Sequence, residues 1–68
     1  MKVKVLFHDG TAMFGKLIGD EIECLKPAQA LDWIMNNSND FIYVEDWISA
    51  QHVQVNKNGI ESIVLDDY

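Results

Sequence analysis

Lys2-Val3-Lys4-Val5-Leu6-Phe7-His8-Asp9-Gly10-Thr11 is the stretch on which the reading of the fold turns. Val3, Val5 and Phe7 alternate with Lys2, Lys4 and His8, and a period of two places the valines and the ring on one face of a strand. Only Leu6 interrupts the polar side. Asp9-Gly10 is the dipeptide of a tight hairpin, because both central residues of that turn need positive φ. The chain is therefore expected to reverse there and begin an antiparallel sheet.

Outward from that hairpin, Thr11 to Ile18 reads as the return strand, with Ala12, Phe14 and Ile18 on one side and Met13 and Leu17 on the other. Gly15 in its middle marks a bulge or bend that would curl a small sheet toward a barrel. Gly19-Asp20 is a second turn signal, and Glu21 to Leu25 reads as a third strand with Ile22 and Cys24 on a shared, apolar face. Lys26-Pro27 changes the period. Proline suits the first turn of a helix, and Leu31, Ile34 and Met35, flanked by Ala30 and Trp33, form a helical stripe. The run Asn36-Asn37-Ser38-Asn39-Asp40 ends it, since these side chains compete for backbone hydrogen bonds.

Phe41 to Val44 and Gln51 to Val55 are dense in strand formers. Glu45 to Ala50 shows no clean period and stays open between turn and strand. Asn58-Gly59 signals a turn, and Ile60, Ile63, Val64 and Leu65 make a last strand before the acidic tail Asp66-Asp67-Tyr68. The expectation is an α+β fold of order β-β-β-α-β-β-β: a small, strongly bent antiparallel sheet or partly open barrel, with one short helix at about residues 27–37. The chain of 68 residues is one domain, 1–68, too short to hold two cores.

Composition narrows the function. Eleven carboxylates face five lysines and no arginine, for a formal charge of −6. That balance repels phosphate backbones, and arginine, the usual bidentate partner of phosphate and guanine, is missing, so nucleic acid is an unfavoured partner. Cys24 is the sole cysteine, which rules out an intrachain disulfide and points to a reducing, cytoplasmic setting. No apolar run has the length of a membrane span or a signal peptide core.

No constellation carries chemistry. Cys24 follows Glu21 and Glu23, whose negative charge would disfavour a thiolate, and it is expected in the core. His8 and His52, with Asp9 and Asp46, lack a metal-ligand spacing and read as strand-end residues facing water. The pairs Asp20-Glu21, Glu45-Asp46 and Asp66-Asp67 would point to opposite faces of a strand, which suits solvation better than acid–base work. Glycines 10, 15 and 19 precede strands, not the helix N-terminus that a phosphate loop needs. No catalytic residue, metal, cofactor or small-molecule ligand is expected.

The rings are more telling. Phe7, Phe14, Trp33, Phe41, Tyr43, Trp47 and Tyr68 exceed what so small a core needs. Phe41 and Tyr43 share one strand face, with Trp47 in phase beyond them if the strand continues, while Ile42 and Val44 line the other. One face is core, and the other offers an apolar patch of the kind that marks a protein contact. Phe41, Tyr43, Trp47 and Trp33 are the candidate contact residues.

Val3 to Leu25, with its Asp9-Gly10 turn and Gly15 bend, resembles the opening meander of Sm-like small barrels. Those barrels carry their helix before the first strand and read RNA with basic loops, so the resemblance implies a shared fold more than a shared function. From Leu31 onward, Met35-Asn36, Phe41-Ile42, Val44, Asp46, Val55-Asn56 and Ile60-x-x-Ile63 resemble small uncharacterised bacterial and phage domains, which transfer no catalytic residue. The leading expectation is a non-catalytic interaction module that binds another protein or a second copy of itself. The alternatives are an acidic inhibitor that mimics nucleic acid, and an Sm-like nucleic-acid binder.

Overall fold

A computed structural model describes residues 1–66, so Asp67 and Tyr68 of the acidic tail lie outside the described residues. The elements are β1 (Lys2–Phe7), β2 (Ala12–Ile18), α1 (Asp20–Glu23), α2 (Pro27–Asn36), β3 (Phe41–Asp46), β4 (His52–Asn56), a 3-10 turn (Lys57–Gly59) and β5 (Ile60–Asp66). The strands form one antiparallel sheet in the order β4-β3-β2-β1-β5. It is an open sheet with two edges, and it does not close into a barrel.

The alternation read in the first strand sets the inner face. Val3 and Val5 of β1, Leu17 of β2, Ile42 and Val44 of β3 and Val55 of β4 are buried, and Ile22, Ala30 and Ile34 come down on them from the helices. The open question about β3 is answered here: Ile42 and Val44 are core, and Phe41 and Tyr43 face away. β3 runs through Glu45 and Asp46, and a turn begins at Trp47.

The α+β class and the helix starting at Pro27 are as expected, and the third element differs. Glu21 to Leu25 is not a strand; Asp20–Glu23 makes one helical turn. The edge of β2 that such a strand would need is occupied by β3, where Leu17 pairs with Val44 and Ile18 with Tyr43. Three acids in a first helical turn are also electrostatically favourable. Helical geometry separates Ile22 from Cys24, so Ile22 plugs the core while Cys24 is exposed rather than buried.

In α2 the buried residues are Ala30 and Ile34, whereas Leu31 and Met35 of the expected stripe remain exposed. Gln29 Oε1 accepts the backbone N–H of Lys26 at 3.0 Å, one half of a capping box. At the other end Lys57 Nζ donates to the carbonyl oxygens of Ile34, at 2.7 Å, and Asn37, at 3.0 Å. Its backbone N–H reaches the carbonyl of Asp40 at 2.9 Å. One lysine thus satisfies carbonyls that helix geometry leaves unpaired and pins the linker leading into β3.

Gly15 stands where two strands approach closely. A Cβ there would run into the carbonyl oxygen of Glu45 and come within 2.8 Å of Val44 Cγ1. At the first hairpin Gly10 has φ +90°, and the Asp9 carboxylate accepts from Thr11 N at 2.9 Å and Thr11 Oγ1 at 2.6 Å.

Candidate contact surfaces

Both helices supply side chains to the inner face, which leaves the outer face of the sheet bare. By register, Lys4 lies beside Phe14 on one side and Val64 on the other, and Lys2 beside Lys16 and Asp66. Lys16 in turn faces Glu45, and Ile18 faces Tyr43. Three of the chain's five lysines therefore meet on this face, with Glu45 and Asp66 flanking them. Lys2 and Lys16 sit directly opposite one another, a repulsive arrangement that the two flanking acids offset.

The lysine stems interleave with rings. Lys4 Nζ lies 5.5 Å from the centre of the Phe14 ring, within cation–π range. Phe14, Trp47, Val64 and Lys4 line a shallow hollow, and the Trp47 backbone N–H donates to the Phe14 carbonyl at 3.2 Å. Tyr43 is 50% and Val64 55% exposed.

The turn after β3 extends this patch. Asp46 Oδ1 accepts the N–H of Ile48 at 2.9 Å, and Ala50 donates to the Asp46 carbonyl at 2.7 Å. Ala50 holds φ +58°, unusual for a residue with a Cβ. These bonds hold Ile48 out at 89% exposure beside Trp47. A fixed, strained turn that presents a bare isoleucine and a tryptophan is the sort of feature found at binding sites.

The four expected contact residues divide between two places. Trp33, Phe41 and Tyr43 border one small hollow beside α1, with Trp33 half-buried against the core. Trp47 stands instead with Phe14 and Val64, at the other end of β3. Sequence reasoning missed Phe14, Ile48 and Val64 as surface residues. The β2 alternation already separated Phe14 from Met13 and Leu17, and that was the available signal.

The remaining polar candidates stay apart. His8 and His52 are both exposed, at the end of the first strand and the start of the fourth, and Cys24 follows α1. Hydrogen bonds from the Thr11 side chain and backbone hold the Asp9 carboxyl below its ordinary value. Of the carboxylates that a nucleic-acid mimic would cluster, Asp20, Glu21 and Glu23 belong to α1. Glu45 and Asp46 lie partway along the sheet, and Glu61 lies on the far edge strand. That spread lends the mimic no support.

The fold and surface define a two-layer α+β domain with one covered and one uncovered sheet face. Compared with known proteins, the chain matches no family model, no curated sequence and no solved structure. None of its helices is long and apolar enough to cross a membrane, among the described residues.

Proposed function

We propose that this domain is a non-catalytic interaction module whose binding surface is the bare sheet face together with the Trp47-Ile48 turn. The observation that supports it is the grouping of Phe14, Trp47 and Val64 around one exposed hollow on the side the helices leave uncovered, with the exposed Ile48 next to Trp47 in the chain. Large apolar side chains clustered in water favour burial against another surface, and Trp and Tyr are the residues most often central to such contacts.

The test is capture from the native host with the intact chain and with Trp47→Ala and Phe14→Ser variants. A specific partner retained by the unaltered chain and lost, by about thirtyfold or more, with either variant supports the proposal. An identical set of retained proteins in all three cases would overturn it.

A further inference from the structure

We infer that β5 is a pairing edge for a second copy of this chain, giving a closed two-fold dimer in which β5 joins β5 and the two α2 helices lie side by side. The inference rests on the contact-module reading in naming one partner, and it uses a surface other than the bare sheet face.

The backbone carries the first step. Phe7 donates to the Thr11 carbonyl at 2.8 Å and Leu17 to the Met1 carbonyl at 2.9 Å, so the odd-numbered residues of β1 address β2. In an antiparallel ladder the alternate residues address the other neighbour. Lys2, Lys4 and Leu6 therefore bond to their register partners Asp66, Val64 and Ser62. Ile63 and Leu65 are left with their N–H and C=O groups turned to the open side of the sheet, where β5 has no strand neighbour.

Between the bulge at Glu61 and the charge of Asp66, that edge is unguarded over four residues. Edge strands are usually protected by lysine, proline, brevity or a bulge. The irregularity in the β1–β5 register falls at Glu61, and Ser62-Ile63-Val64-Leu65 beyond it contains neither charge nor proline. The opposite edge, β4, is shorter and presents His52, Gln54 and Asn56 to water.

The helix beside the edge completes the surface. Pro27, Ala28 and Leu31 border Leu65, while Met35 borders Ile60, so α2 runs antiparallel to β5 with a groove between them. Ala28, Leu31 and Met35 recur at helical spacing along this groove, and Met35 is 72% exposed.

Charge selects the occupant and the register. A two-fold axis at Ile63 pairs Ile63 with its own copy through the outward backbone groups. It keeps inner-face side chains beside inner-face side chains and sets Leu65 across from Glu61 of the second copy. Because α2 begins beside Leu65, Lys26 of each copy meets Glu61 of the other, so two ion pairs flank an apolar centre built from Ile63, Leu31 and Met35.

Sedimentation of the intact chain over a concentration series, combined with amide exchange, tests this. The expected result is a monomer–dimer equilibrium in which Ile63 and Leu65 amides gain protection with concentration while Ser62 and Val64 are protected throughout. Met35→Glu, on a side chain outside the core, abolishes the dimer. Lys26→Glu and Glu61→Lys each weaken it about tenfold, and the double reversal restores it. A monomer at millimolar concentration overturns the inference, as does association that leaves the Ile63 and Leu65 amides unprotected. Growth beyond a dimer also overturns it, by showing β5 paired to something other than itself. In each case a partner lost with Trp47→Ala would still sustain the contact-module reading.

Discussion

Gly15 is where a single atom matters most. Its hydrogen faces the Glu45 carbonyl, so Gly15→Ala must push β2 and β3 apart or shift Val44 within the core. Overpacking of this kind costs about 1–3 kcal/mol, and the upper end is expected because the obstruction is backbone. Chemical denaturation of the variant checks it; an unchanged midpoint would mean the strands have slack. Asp9 gives a prediction of a different kind. Its folded carboxyl is held below the ordinary value by Thr11, so the charged form stabilises the hairpin above the unfolded-state value, and this is lost as pH falls through the folded one. Asp9→Asn should therefore lower the thermal midpoint at neutral pH, and the difference from the unaltered chain should close in acid. A difference that persists at low pH would place the effect in packing rather than charge.

At the scale of elements, Lys57 joins three pieces that are distant in sequence: the end of α2, the linker to β3 and the turn before β5. Lys57→Met keeps most of the stem and removes the charged donor, and the expected loss is about 1–2 kcal/mol, below a fully buried charged bond because the site is partly solvated. Exchange of the Asn37 amide, which donates to the Trp33 carbonyl, should quicken before that of β3, which distinguishes fraying of α2 from general weakening. The elements legible in the sequence were those whose period repeats or whose turn chemistry is specific. Val3-Val5 and Ile42-Val44 set the inner face by alternation, while Asp9-Gly10 and Pro27 set a reversal and a helix start. Glu21 to Leu25 was illegible because it buries only Ile22 fully and Leu25 in part, too few positions over five residues to fix a period. Whether it could be a strand depended on β3 already occupying the edge of β2, a fact of topology with no local trace. Phe41, Tyr43 and Trp47 are exposed while Trp33 is half-buried against the core, and the division of the four between two places was likewise not foreseeable.

For the molecule as a whole, charge is the dominant long-range quantity. With a net charge of −6 and the described carboxylates spread over helices, turns and strands, the folded state compresses like charges. Screening should relieve that repulsion, so added sodium chloride up to about 0.5 M is expected to raise the thermal midpoint by a few degrees, the Debye length falling well below the size of the domain. A falling midpoint would show that specific ion pairs outweigh the global repulsion. The place of β1 in the sheet order has a further consequence. It is the first strand in the chain and is flanked by β2, which follows at once, and by β5, which comes last. A ribosome releasing this chain delivers the first hairpin ahead of the other elements and then keeps one side of β1 without its neighbour until the helices, β3 and β4 have emerged. Closing that gap requires a large loop, so maturation of the sheet is paced by its most distant pairing, and during synthesis the nascent hairpin is the part most open to capture by a chaperone or a neighbouring nascent chain.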